Sequence, residues 1–449
     1  MDPTRRSVWL HPTRLIILVY VGIVVVGSVL LFLPVATPSG SPGVAIETAV
    51  FTATSALSVT GLVVVDTATE WSRFGQVVVL GLIQLGGFGI TTFASVFAVL
   101  VFRRLGLRAR LATQLEQNQP ELGSLRPLIK RIAVFYLIAE VVGAIVLTVA
   151  FWNVSDGDPL EAIWTGFFHS ISAFNNAGFS TFSDSLIGFA DDALVLVPVM
   201  LLVMLGGIGF PVVLEVLRNR RWRTWSIHTK LTLSTTGLLL VVGTAGFMLL
   251  DWSNAATLGI VPEGPGRVVD ALFMSAATRT AGFSTFDFGG AGIAAEFLAM
   301  VLMFIGGGSA SAAGGIKVTT FALLAFVIAA ELRGNPEVNV FGRRISESTQ
   351  RQAVGVALLG VGSVAVGTLA VAMTSPALDL GDVLFEVVSA VGTVGLSTGI
   401  TPDLEPLSQW IVSGLMLLGR LGPVTFGTAL VLRQRRYLLR YPEGRPLIG

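Results

Sequence analysis

Hydrophobic positions in this chain run unbroken over long stretches instead of alternating with polar ones. Near-continuous apolar segments cover roughly Leu15–Leu33, Gln76–Phe102, Ile132–Phe151, Leu194–Leu217, Leu231–Leu250, Ile293–Ala330, Ala353–Met373 and Ser408–Leu432. A helix needs about 20 apolar residues to cross ~30 Å of hydrocarbon, so the pattern predicts eight crossings. The first segment follows basic residues but has no small-residue cleavage site, and it reads as a retained span, not a signal peptide. Within each successive pair of spans lies a shorter apolar stretch of about a dozen residues, which as a helix rises only ~18 Å. A stretch of that length enters the bilayer and returns to the same side.

The four short stretches are copies of one another. Each leads to a glycine in a small or polar setting: Ser58-Val59-Thr60-Gly61-Leu62, Asn176-Ala177-Gly178-Phe179, Thr280-Ala281-Gly282-Phe283 and Thr393-Val394-Gly395-Leu396. Six and five positions earlier stand Ser55-Ala56, Ser172-Ala173, Ala276-Ala277 and Ser389-Ala390, and the glycines recur at intervals of 117, 104 and 113 residues. Self-similarity at such a period marks structural repeats. The repeat units are residues 1–105, 106–220, 221–335 and 336–449, the third with a broken second span. The predicted fold is an all-α polytopic membrane protein, with four span–re-entrant loop–span units around a pseudo-fourfold central pore.

Composition agrees with a membrane protein: 53% of residues are hydrophobic, 13% charged, and the mean hydropathy is +0.78. An ordinary globular domain carries roughly 25% charged residues. The absence of cysteine excludes disulfides, thiolate chemistry and cysteine-ligated metal sites, and the three histidines are too scattered for a metal centre. The net charge of +1 conceals a sorted distribution and gives no reason to expect a nucleic-acid partner. Loops on one side hold 24 of the 29 basic residues, and loops on the other hold 19 of the 28 acids. Basic residues stay on the cytoplasmic side, which places both termini in the cytoplasm. The acids on the outer face would concentrate cations at the mouth of a pore.

Non-helical backbone at membrane depth is tolerated only where protein or a water-filled cavity satisfies its polar groups. Four such segments around one axis bring main-chain carbonyls together, able to replace the hydration shell of a cation. Glycine is required because a strand that turns successive carbonyls to one side visits backbone angles closed to side chains. The short helices would aim their negative C-terminal ends at the axis, which favours a cation over an anion. No acid lies within three residues before any of the four glycines, so selection is expected from carbonyl dipoles and not from a carboxylate ring. The candidate filter is therefore Val59, Thr60, Gly61, Asn176, Ala177, Gly178, Thr280, Ala281, Gly282, Thr393, Val394 and Gly395, with potassium at their carbonyls. Arg279 is expected behind the filter, paired with an acid or capping carbonyls.

These motifs, in four span–loop–span units covering nearly the whole chain, resemble the Trk/Ktr/HKT superfamily of potassium-translocating subunits. With eight spans and no extra N-terminal pair, the chain is most similar to the Ktr-type membrane subunit. The resemblance implies potassium uptake across a prokaryotic plasma membrane through a channel-like pore. It also implies a homodimer in which each chain forms its own pore, and a cytosolic ring of nucleotide-binding regulatory subunits of the KtrA/TrkA kind. No covalent cofactor is implied; potassium is the transported ion, and sodium as an activator is left open. In the plant branch a serine at the first-loop glycine goes with sodium preference, so Gly61 points to potassium.

Ile293–Ala330 is 38 residues, ~57 Å as one helix, nearly twice the hydrocarbon thickness. The break is visible as Gly306, Gly307, Gly308, Ser309, Ala310, Ser311, Ala312, Ala313, Gly314 and Gly315. A run of small residues at mid-membrane must line a cavity, here on the cytoplasmic side of the third glycine loop. The resemblance implies that it is an intramembrane gating loop, and that Lys317 and Arg420 restrict the pore below the filter. Both are also candidates by cost, since a charge within a span is unfavourable by ~2.5–3.5 kcal/mol. For Lys317, snorkelling to the cytoplasmic interface is an alternative. Glu140 is a candidate counter-ion for one of these cations or a chain–chain contact. Gly86-Gly87-Phe88-Gly89 and Gly206-Gly207-Ile208-Gly209 read as close helix packing beside the filter.

Gly314-Gly315-Ile316-Lys317 fails the spacing of a phosphate loop, and Gly307-Gly308-Ser309-Ala310-Ser311 lacks the closing glycine of a nucleophile elbow. No enzyme is expected. The competing reading is a secondary carrier for another cation or an organic substrate. Such carriers also use repeats and broken helices, usually as two inverted halves, whereas four units here share one orientation.

Overall fold

The computed structural model describes residues 12–41, 43–104, 125–155 and 158–432. Fourteen α-helices order the described chain. First come α1 (Pro12–Phe32), the short α2 (Ile46–Ser58) and α3 (Arg73–Arg104). Next are α4 (Leu125–Ala150), the short α5 (Pro159–Phe174), α6 (Ala193–Ile208) and α7 (Phe210–Arg218). Then follow α8 (Ile227–Asp251), the short α9 (Pro265–Ala277), α10 (Ile293–Phe304) and α11 (Val318–Leu332). Last are α12 (Glu347–Thr374), the short α13 (Leu380–Gly392) and α14 (Pro406–Leu432). The strands among the described residues are the two-residue β1 (Asn339–Val340) and β2 (Arg343–Arg344), which form a hairpin between α11 and α12.

Local sequence explains where these helices begin. The side chains of Asp158, Asp192, Ser226, Ser346 and Asp379 each accept from a backbone N–H of the first turn, which satisfies donors left open at a helix start. Pro159 and Pro265 occupy first positions, where a missing N–H costs nothing.

Burial reverses the order found in a soluble bundle. The short helices form the interior: every residue from Thr165 to Phe174 except Phe167 is buried, as is every residue of α13 from Phe385 to Gly392. The long helices wrap them and leave large apolar side chains outside, Leu249 at 84% and Val366 at 70% exposure among them. A continuous apolar exterior of this extent suits hydrocarbon and not water. By length and composition, Ile129–Ala150, Ile227–Asp251 and Glu347–Thr374 suffice to cross a membrane, and the bent pair Ala193–Ile208 and Phe210–Arg218 suffices together. Shorter apolar helices, Ile17–Phe32, Arg73–Gly89, Ile293–Phe304 and Val318–Leu332, occupy other predicted segments.

One expected span is not a single helix. The segment Leu194–Leu217 turns by 97° at Gly209, whose φ of +97° no helix interior accepts. Mean hydropathy is blind to this turn, but Gly209 followed by Phe210-Pro211 carries the signal, since proline suits the first turn of the new helix.

Candidate functional site

The four glycine loops meet. A Cβ built on Gly61 (φ +96°) would lie 2.4 Å from the carbonyl oxygen of Ala177, and one on Gly178 (φ +70°) would lie 2.8 Å from that of Ala281. The same construction on Gly282 (φ +75°) meets the Val394 oxygen at 2.5 Å, and on Gly395 (φ +99°) the Thr60 oxygen at 2.1 Å. The contacts close a ring in chain order, each glycine abutting the carbonyl that precedes the next glycine. A side chain at these positions is strained by the left-handed backbone and forces the neighbouring main chain to shift.

Two residues before each glycine the backbone is left-handed as well, at Val59 (φ 57°), Asn176 (59°), Thr280 (70°) and Thr393 (50°). A side chain in that region is strained by on the order of 1–3 kcal/mol, tolerated only where the surroundings enforce it. The enforcing contacts are helix ends. At α2, Val59 N–H donates to Ala56 O at 3.1 Å and Thr60 N–H to Ser55 O at 2.8 Å. The same nested pair recurs from Asn176 and Ala177 at the end of α5, and from Thr393 and Val394 at the end of α13. This is the Schellman closure of a helix.

A serine fastens each of these three loops from behind. Ser55 Oγ donates to Leu62 O, and Ser172 Oγ to Phe179 O, both at 2.7 Å. Ser55 Oγ also accepts from Gly61 N–H at 3.1 Å, as Ser389 Oγ does from Gly395 N–H at 3.0 Å. The third loop has Ala276 at the corresponding position and neither feature. There Ala281 N–H donates to Ala277 O at 3.0 Å, and Gly282 N–H reaches the same oxygen at 3.4 Å. Spacing alone locates these serines, but it does not disclose their partners.

The small-residue loop between α10 and α11 lies directly against two of the glycine loops. A Cβ on Gly314 would fall 1.8 Å from Thr393 Oγ1, and one on Gly306 would fall 3.2 Å from Thr280 Cγ2. Its backbone bonds hold it to the end of α6, beside the bend: Gly308 N–H donates to Gly207 O at 2.8 Å and Ala312 N–H to Gly206 O at 3.1 Å. It is closed on itself by Gly306 N–H to Ile316 O at 2.8 Å and Val318 N–H to Gly307 O at 3.0 Å. Ser309, Ala310 and Gly315 complete the turn, and Ser311 Oγ donates to Gly308 O at 2.6 Å.

Both cations named from the sequence reach this loop. Arg420, 3% exposed, donates to Ala312 O and, at 3.1 Å, to Gly86 O in α3. One guanidinium thus ties α14 to α3 and to the small-residue loop. The Lys317 ammonium is turned back onto Ala313 O and Gly314 O instead of extending to an interface.

Two expectations are corrected. Glu140 is not a counter-ion to either cation: Gln84 and Asn175 donate their amide N–H groups to it, each at 3.1 Å. It is also 7% exposed within this chain, which leaves it little surface for contact with another. Arg279, buried, pairs with no acid among the described residues, and its Nε has no hydrogen-bond partner. Close packing at the glycine pairs holds, since a Cβ on Gly86 would meet Leu57 O at 1.9 Å and one on Gly206 would meet Phe174 O at 1.8 Å. Gly419 abuts Val391 O in the same way, at 2.1 Å.

Residues 23–437 match the family model described as TrkH, cation transport protein. The chain is 37% identical to Ktr system potassium uptake protein B of Bacillus subtilis, over 100% of this chain and 99% of the relative. It is 38% identical to the protein of the same name in Vibrio alginolyticus, over 97% and 94% of the two chains. It is 34% identical to potassium/sodium uptake protein NtpJ of Enterococcus hirae, over 98% of each. A similar fold is found in the crystal structure of the potassium transporter TrkH from Vibrio parahaemolyticus, with a TM-score of 0.71 at 20% identity, over 94% of this chain and 84% of that one.

Proposed function

Because the chain belongs to the TrkH family of cation transport proteins, and is a membrane transporter and not an enzyme, we propose that it takes potassium into the cell through a channel-like pore. The observation that carries this reading is the closed ring of Gly61, Gly178, Gly282 and Gly395. Alternating left-handed residues turn successive carbonyls to one side, and four such segments present the oxygens that a dehydrated monovalent cation needs. The buried short helices end at this ring, adding their negative poles. Membrane potential drives entry, worth ~2.3 kcal/mol per unit charge per 100 mV, so no hydrolytic step is required.

In this reading Val59 to Gly61, Asn176 to Gly178, Thr280 to Gly282 and Thr393 to Gly395 are the filter, contributed by four repeat units with eight crossings and cytoplasmic termini. Residues Gly306 to Gly315 form the gate, latched by Arg420 and Lys317. The loop's own backbone bonds and the Arg420 contact to Ala312 support a discrete closed position. Two chains form a homodimer in the plasma membrane, and a cytosolic ring of nucleotide-binding subunits controls the gate; the named Ktr systems among the relatives support this. Sodium is a candidate activator in this reading; one relative is named for potassium/sodium uptake.

The deciding experiment is rubidium and potassium uptake in a strain lacking its own potassium uptake. Wild type, Gly61→Ser and a deletion of Gly306–Gly315 are compared. Gly61→Ser forces a side chain against Ala177 O and lowers discrimination against sodium, whereas the deletion raises flux. Unchanged uptake in both variants would remove the assignment of filter and gate.

A further inference from the structure

His169 is wholly buried between the second and third glycine loops and has no part in the ring itself. It stands in α5, nine residues before Gly178. Its Nδ1–H donates to Thr165 O at 2.8 Å, which leaves Nε2 of the neutral ring to accept from Ser180 Oγ at 3.0 Å. The same hydroxyl accepts from Phe182 N–H at 2.9 Å and lies 3.1 Å from Ser185 O. Ser185, at a φ of 59°, then meets the third loop. Its Oγ accepts from Ser284 N–H at 3.1 Å, and Leu186 N–H donates to Ser284 O at 2.9 Å. Both main-chain groups of Ser284 are thus satisfied by the second loop. Ser180 and Ser284 occupy matching places, two residues after their glycines. The imidazole also stacks on Phe283, the residue after Gly282, with ring centroids 6.1 Å apart and planes at 29°.

Comparable side chains elsewhere hold only their own loop. Glu386, nine residues before Gly395, accepts from Thr401 Oγ1 at 2.7 Å, and Asp270 accepts from Thr285 Oγ1. Among the described residues, no other neighbouring pair of glycine loops is hydrogen-bonded beyond its glycines. We propose that His169 is a positioning residue for ion selection: through Ser180 and Ser185 it fixes the third loop against the second, and with it the spacing of the carbonyls on that side of the ring. The inference rests on the reading of the ring as a filter. The third loop depends on this support because Ala276 offers its glycine no hydroxyl. Ser185 keeps its left-handed backbone only while the surroundings enforce it, and its bonds to Ser180 and Ser284 are those surroundings. Without the imidazole, Ser180 is free to turn, Ser185 relaxes and the third loop drifts. Oxygens that drift fit a second cation nearly as well as the first.

Competitive uptake of potassium and sodium by the full-length protein, in a strain lacking its own potassium uptake, tests this as a ratio from which the amount of folded protein cancels. His169→Phe keeps a ring against Phe283 but makes neither hydrogen bond; Ser180→Ala removes the middle of the chain, and Ser185→Ala removes the acceptor for Ser284 N–H. Each should lower discrimination against sodium about fivefold, the scale of one net hydrogen bond. Because the three residues act in series, His169→Phe combined with Ser185→Ala should lose no more than the larger single effect. An additive loss of about twenty-five-fold in that double variant overturns the chain. So does any of the three single variants in which uptake falls for both cations alike and the ratio is kept, because that is a role in folding alone. His169→Leu, which also lacks a hydrogen-bonding group, replaces a His169→Phe that does not reach the membrane and is read in the same way. A wild type without selective potassium uptake removes the transport reading, whereas a selective wild type with unaltered variants removes this inference alone.

Discussion

The first and third glycine loops share a positive φ at their glycine and a place in the ring, yet they are held in different ways. Gly61 is fastened by Ser55, which bonds the strand on both sides of it, above a Schellman-closed helix. Gly282 has Ala276 at that position, a long 3.4 Å bond to Ala277 and Arg279 three residues before it. The third loop is also followed directly in the chain by the broken span whose Gly306 faces Thr280. Close approach of main chain to main chain sets the ring; stiffness is added separately, loop by loop. The least fastened loop adjoins the part expected to move.

The strongest way to break this comparison is to remove what all four loops share. Gly395→Ala places a methyl group 2.1 Å from Thr60 O at a φ of +99°, against main chain that cannot yield cheaply, and rubidium uptake should fall to background. Gly282→Ala should do the same despite the weaker fastening of its loop. If it transports normally, the third loop is not an equal member of the ring.

Removing the fastening comes next. Ser55→Ala leaves Gly61 N–H and Leu62 O unpaired in a buried setting, a cost of about 1–3 kcal/mol for such groups. Discrimination between potassium and sodium should drop about tenfold in competitive uptake, with Ser389→Ala smaller because one bond is lost there. Discrimination equal to wild type in both would assign the serines to folding alone. Ala276→Ser sharpens the contrast from the other side. It offers the third loop the missing hydroxyl and should raise the unfolding midpoint by about 1–2 °C while slowing uptake about twofold. The smallest effect belongs to Arg73→Gln, which removes a half-exposed pair with Glu161; exposed pairs contribute about 0–1 kcal/mol, and uptake should stay within error of wild type.

The ring positions were legible because they repeat: a glycine after a short apolar stretch, four times in register, is a pattern in the chain itself. The small-residue interruption was legible for a similar reason, since a 38-residue apolar run cannot be one span. The partners of buried polar groups were not. Asn175 reaches Gln84 across 91 residues, and nothing local to either announces the other, so Glu140 read as a lone charge in search of a cation. The bend at Gly209 escaped because apolar content persists through it while backbone direction does not.

Arg420 and Gly86 lie 334 residues apart and share a hydrogen bond. Thr60 and Gly395 likewise meet across about three quarters of the chain. The first quarter of the molecule therefore emerges from the ribosome long before the surface that completes it. Such distant pairings are formed late and slowly. Until Val394 and Gly395 are in place, neither Gly282 nor Thr60 has its neighbour in the ring, which stands open on one side.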